Sequence, residues 1–191
     1  MTAVELLERY AAGERDFSGI SLRGANLIRA NLQRINLSNA KLGRTLLIAA
    51  NLSDSNLEGI NLEGADLTRA NLNRASLTNA VVNGDAIGTF FEQANLSNAR
   101  MFRATLDGAT FFQANLHRAN LACTSLIGTR FLHANLRDAD LQEARGVADF
   151  TEADLLNTIP DHPAEMKDFE KRLGTSIFYR TIMPNGTIRS T

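Results

Sequence analysis

Large apolar residues return every five positions along most of this chain. From Phe17 the series runs without a slip through Leu22, Leu27, Leu32, Leu37, Leu42, Leu47, Leu52, Leu57, Leu62, Leu67, Leu72, Leu77 and Val82. It resumes at Phe91 and passes through Leu96, Met101, Leu106, Phe111, Leu116, Leu121, Leu126, Phe131, Leu136 and Leu141; Phe150 and Leu155 then follow one residue out of step. A return of five matches neither the helical period of 3.6 nor the strand period of 2, so it predicts a repeat architecture. Ala stands two places before 18 of the 27 large centres, and Thr45, Ser55, Thr89, Thr124 and Thr129 are nearly as small. One large and one small inward side chain per repeat suits a narrow core, which Ile20, Ile35 and Ile60 should swell locally.

Asn or Asp just before the centre, as at Asn26, Asn31, Asn51, Asp66, Asn71, Asn95, Asn115, Asn120 and Asn135, suits corners, because these side chains bond nearby backbone and tolerate unusual φ. The period slips twice. Ile87 falls in register but has Asp85 two places before it, so residues 83–90, with Gly84 and Gly88, read as a small outward loop. Near 145–149, Gly146 occupies a centre that it cannot fill.

The flanks differ in character. Residues 1–16 open with Thr2 and Glu5 in capping-box spacing, predicting a short helix through Leu6, Leu7 and Tyr10 that Gly13 ends and that covers the first turn of the repeat. The repeat occupies 17–158. In 159–191, Asp161 and Pro163 predict a helix start, with Met166, Phe169 and Leu173 on one face and Gly174 at its end. Two β-rich runs around Pro184-Asn185-Gly186 then predict a hairpin or an extended tail.

The repeats ANLIR, ANLQR, ANLSD, ADLTR, ANLNR, ANLHR and ANLRD make the chain resemble the pentapeptide-repeat family, and ELLERYAAGERDF and TIMPNGTIR resemble the ends of cyanobacterial-type members. The resemblance implies an all-β solenoid: a right-handed quadrilateral β-helix with one pentad per side, four per coil, and short helical caps at both ends. Leu27, Leu32, Leu67, Leu72, Leu77, Phe91, Leu96, Phe111, Leu116, Phe131 and Phe150 are among the expected core centres. About seven coils stacked at the strand spacing of ~4.8 Å would make a rod roughly 30 to 35 Å long.

Twenty Lys and Arg against 21 Asp and Glu leave a net charge of −1, which provides no global field for nucleic acid, and no direct binding of it is expected. No run of eighteen apolar residues predicts a membrane span, and the acidic start MTAVELLERY is unlike a signal peptide, so a cytoplasmic location is expected. The single Cys123 excludes an internal disulfide. No catalytic constellation is visible, no cofactor is implied, and His117, His133 and His162 have no metal-ligand spacing, so they read as surface residues.

Surface patterning carries more. With 20 residues per coil, Arg29 and Arg69 share a face, and Arg34 and Arg74 share its neighbour. Residues 17–50 hold five bases and no acid, whereas Asp138, Asp140, Glu143, Asp149, Glu152 and Asp154 crowd the other end, predicting an electrical dipole along the rod. Ile28 and Ile48 stack outward with Leu46 beside them, and Phe112 and Leu132 stack on another face. Laddered apolar residues on a flat face predict a cover, either the 83–90 segment, the C-terminal hairpin, a protein partner or a second copy. The function expected is a non-catalytic interaction scaffold or adaptor of unknown partner, with dimerisation through an end cap or the Phe112 face as a further mechanism. The alternative, a DNA-mimicking modulator of a type II topoisomerase as in the quinolone-resistance members of the family, needs an acidic surface. Residues 17–157 instead carry 13 acids and 13 bases. A charge at a centre has no partner, so Leu67→Lys is expected to prevent folding while Arg69→Glu leaves the melting temperature nearly unchanged, measured by circular dichroism.

Overall fold

In the computed structural model, which describes residues 1–158, 168 and 171–189, the backbone closes a circuit every four repeats. Parallel bridges join residues 20 apart: Asp16 to Asn36, Ser21 to Lys41, Asn26 to Leu46 and Asn31 to Asn51 lie on four successive sides, and the same register continues up the chain. Each side is one pentad. The large centres and the small residues before them are buried along the length of the coil, in one continuous core.

The five amide N–H groups of a pentad show why it has this sequence. Around Leu27, the N–H groups of Leu27 and Arg29 donate upward to the carbonyls of Leu46 and Ile48 in the next coil. Ala30 N–H closes the turn onto the Leu27 carbonyl, and residues in the bridging position, such as Leu46, donate downward to Ala25. Only the residue after the centre is left without a backbone acceptor, and Asn26 supplies one: its Oδ1 accepts from Ile28 N–H at 3.1 Å. Ser38, Ser53, Glu63, Asn73 and Arg137 are served in the same way. The Asn or Asp therefore satisfies a corner without forming one. The unusual φ expected at that residue falls three places later, where Arg29, Arg34, Asn39, Arg44 and their equivalents have φ near +60°.

The core tolerates limited polarity because every hydroxyl in it has a fixed acceptor. Thr45, Ser55, Thr89 and Thr129 replace Ala, and each donates to the carbonyl of a centre in the coil below, namely Leu22, Leu32, Leu67 and Leu106. Ile35 and Ile60 are fully buried, and Ile20 is half-buried beside the core. On one side the centres turn from Leu32, Leu52 and Leu72 to aromatic residues from Phe91 upward. Phe91, Phe111, Phe131, Phe150 and Phe178 form one stack with centroids 4.8, 4.9, 5.0 and 5.2 Å apart and planes within 12° of parallel.

Residues 83–90 are not an outward loop. The bridges Asp66 to Asp85 and Asn71 to Phe90 span 19 residues, so one side has simply lost a residue. Ala86 takes the centre and is fully buried, which turns Asp85 and Ile87 outward and removes the cost of an inward carboxylate. Gly84 permits the shortening, because a Cβ there would lie 2.1 Å from the Ala65 carbonyl oxygen. The second slip is alike: Arg130 bridges Asp149, again 19 residues on, and a Cβ at Gly146 would meet Ile127 N at 2.7 Å. Gly146 N–H donates to the Arg172 carbonyl, and the neighbouring Leu173 is fully buried in the core that Gly146 leaves unfilled.

At the start of the chain α1 (Ala3–Ala11) carries both capping-box bonds, between Thr2 and Glu5, and buries Leu6 completely. Tyr10 donates its hydroxyl to the Gln33 carbonyl, tying α1 to the repeat, while Leu7 faces outward. The expected helix start at Asp161 and Pro163, with Met166 and Phe169, lies outside the described residues. Beyond it the coil resumes: Ile177 bridges Asp149 and Ile182 bridges Asp154 in parallel, with Phe178 and Met183 as buried centres and Thr181 donating to the Phe150 carbonyl. The same residues also begin a hairpin, since β1 (Thr181–Ile182) pairs antiparallel with β2 (Ile188–Arg189) around Pro184-Asn185-Gly186.

Gly64 is left-handed, and a Cβ there would meet only Arg44 Cγ at an ordinary 3.6 Å, whereas Gly84 is blocked by backbone. Gly64→Ala is expected to cost about 1 kcal/mol, and Gly84→Ala at least twice as much, in urea unfolding.

Candidate interaction surface

Because the interior is filled, chemistry is confined to the walls and the corners between them. Counting by coils, with 19 residues in place of 20 across each slip, puts Ile28, Ile48, Thr68, Ile87, Asp107, Ile127 and Val147 in one vertical column, each the first residue of the same corner. Ile28, Ile87, Ile127 and Val147 are 41, 42, 60 and 44% exposed, so neither residues 83–90 nor the C-terminal hairpin covers them. The 83–90 segment instead contributes Ile87 to the column. Leu46 on one adjoining wall and Phe90 on the other are exposed shoulders. The sequence pattern singled out Ile28, Leu46 and Ile48; the same counting, carried through the slips, finds the other members.

The second residue of this corner is Arg29, Ala49, Arg69, Gly88, Gly108 or Gly128, all with positive φ. Among the described residues Arg29 and Arg69 have no ion pair, and the Arg69 stem runs up over Gly88, whose Cβ would lie 3.7 Å from Arg69 Cγ. In the column, Asp107 is held upright by the Ser125 hydroxyl and Ile127 N–H, both donating to Oδ1, and Oδ2 has no partner among the described residues.

The neighbouring corner holds the other predicted residues. Arg34 and Arg74 are two coils apart with Asp54 between them. Arg74 donates to both Asp54 oxygens at 2.6 and 2.9 Å, and Gln33 donates at 3.0 Å. The Arg74 hydrogen bonds, then that of Gln33, hold the Asp54 carboxyl down at about 2. Higher on this corner Phe112 is exposed and Leu132 half-buried, and the His133 ring meets Phe112 edge-on at 5.6 Å. Glu92, Thr110 and Arg130 complete a shallow hollow around them.

The expected dipole is weakened by pairing at its acidic end. Glu152 lies 3.1 Å from His133 and 3.4 Å from Arg180, Asp154 lies 3.4 Å from Arg137, Asp138 lies 3.5 Å from His117, and Glu143 meets Arg145 and Arg172. The two histidines are thus carboxylate neighbours, a relation that requires the coil register to see. Among the described residues, Arg23, Arg29, Arg34, Lys41 and Arg44 at the other end form no ion pair. Cys123 is exposed on a different corner, and no group of three or more His, Cys, Asp or Glu is placed to hold a metal among the described residues. Among those residues, too, no helix is long and apolar enough to cross a membrane.

A coil of pentads with a filled core and plain walls defines a class. The pentapeptide repeat model matches eight copies across residues 14–44, 45–84, 82–113 and 114–145, and the chain belongs to that family. Among solved structures it is similar to trypsin-treated QnrB1, a plasmid-mediated fluoroquinolone resistance protein, with TM-score 0.69 and 20% identity over 86% of this chain and 93% of that one. It is also similar to HetL, a pentapeptide repeat protein involved in heterocyst differentiation regulation from the cyanobacterium Nostoc sp. strain PCC 7120. That match has 26% identity over 99% of this chain and 100% of the other, with TM-score 0.38. At its low identity, the likeness to QnrB1 shows the fold alone. No curated protein sequence matches the chain.

The depressed Asp54 pKa makes its pairing with Arg74 favourable to folding above the ordinary carboxylate range, and that contribution is lost as pH falls from about 4 toward 2. A carboxyl NMR titration should show a midpoint near 2 for Asp54, rising toward the ordinary range in Arg74→Met.

Proposed function

We propose that this protein is a non-catalytic interaction scaffold: a rod of about seven coils, closed at its start by α1, that presents one apolar corner to a protein partner. The observation that carries the reading is the column from Ile28 to Val147, which keeps large apolar side chains in water along the rod although the other three corners are mostly polar. A soluble chain retains such a strip where something docks on it. Ile28, Leu46 and Ile48 form its lower part, and Arg29 and Arg69 border it and favour an acidic rim on the partner. Phe112 and Leu132, with Arg34 and Arg74 on the same corner, form a smaller second patch. A rod suits this task because its side chains are fixed by the stacking of neighbouring coils.

The likeness to QnrB1 raises modulation of a type II topoisomerase as a second reading. Charge opposes it, since imitation of DNA needs a strongly acidic surface and this repeat is neutral. Added protein is therefore expected to leave gyrase supercoiling and its quinolone sensitivity unchanged; inhibition or protection would reverse the choice.

The docking reading is tested by capture from host extract with three forms. The unaltered protein and a Ser38→Arg/Ser97→Arg variant, changed on the opposite corner, should retain the same specific proteins. Ile28→Arg/Ile127→Arg should lose them with its melting curve intact. Equal capture by all three would overturn the assignment of the corner.

A further inference from the structure

We infer that the apolar corner binds a second copy of this chain, with the two rods antiparallel and a two-fold axis passing through Ile87. The inference rests on reading this corner as the docking surface and adds the identity of the occupant. Its basis is the order of residues in the column. Reversed about Ile87, Ile28 falls opposite Val147, Ile48 opposite Ile127, Thr68 opposite Asp107, and Ile87 opposite itself. Apolar residues meet apolar ones and the two polar members meet each other, which is the self-complementarity that an isologous contact demands.

Charge selects the antiparallel direction. Arg69 follows Thr68 and so lies level with Asp107 of the second copy; among the described residues the Arg69 guanidinium has no ion pair and Asp107 Oδ2 has no partner. The two-fold axis makes this exchange twice. Parallel rods would instead set Arg29 against Arg29, Arg69 against Arg69 and Asp107 against Asp107, repelling at each. The Phe90 shoulder lies in the coil of Ile87, so the two Phe90 rings close on either copy beside the axis. Six coil spacings of ~4.8 Å make the strip roughly 29 Å long. It is narrow, which places the dimer among the smaller, reversible interfaces.

Sedimentation across a concentration series should show the 20.9 kDa chain passing to twice that mass. Ile87→Arg should weaken the association at least tenfold with its melting curve intact. In a Cys123→Ser background, Ile87→Cys should oxidise to a disulfide-linked dimer. Ile28→Cys should not do so alone but should cross-link when mixed with Val147→Cys. A monomer at every concentration, a dimer indifferent to Ile87→Arg, or self-linking by Ile28→Cys would each overturn the proposal. If the chain is monomeric but Ile28→Arg/Ile127→Arg still abolishes capture of a host protein, the docking corner stands and only the second copy is lost. If capture is also unaffected, both fall.

Discussion

A chain that turns a corner every five residues strands one amide N–H at each turn. The coil above accepts two N–H groups per pentad, the coil below supplies an acceptor for one, and the turn closes on another. The fifth finds no carbonyl, and a buried or half-buried amide without an acceptor costs roughly 1 to 3 kcal/mol. Asn and Asp before the centre remove that cost at most corners, and this local bond lets the circuit repeat. It also explains why Arg29, Arg69 and their equivalents can occupy left-handed backbone. A non-glycine residue there is strained by about 1 to 2 kcal/mol, and the stacking of coils on both sides holds it.

The same economy governs the interior. Among the described residues one large and one small side chain per side fill the interior, and the hydroxyls admitted by Thr and Ser are consumed by fixed carbonyls. Function is thereby driven outward, to positions whose identity the fold does not dictate. The first residue after a centre is such a position. Its side chain lies outside the core, covered at a few corners such as Ser53 and Ala122, so nothing in the interior packing asks for Ile at 28, 48, 87 and 127. Their concentration on one corner is a surface property, and this separates the column from the core.

Shortened sides show how tightly the two levels are joined. Loss of one residue after Val82 and another near Gly146 leaves the circuit intact because glycine allows backbone to approach where a Cβ would collide. The Phe stack begins just above the first slip and crosses the second, between Phe131 and Phe150, with its spacing kept between 4.8 and 5.2 Å, so the core reads straight through it. The cost falls on the centres: Ala86 and Gly146 occupy positions that elsewhere hold Leu or Phe.

Much of this was legible in one dimension. A period of five with a small residue two places earlier determines the core list, because every pentad meets the same narrow interior and states the same requirement; the four-sided coil came from the resemblance of those pentads to a known family. What the tertiary structure decided are the relations between residues 19, 20 or more apart. The absorption of residues 83–90 into a wall, the return of the coil at Ile177 to Met183, the pairing of His133 with Glu152 and the alignment of Ile127 above Ile28 all depend on how coils stack. A single deleted residue shifts that register by one, and only backbone hydrogen bonding between coils shows where the shift is taken up.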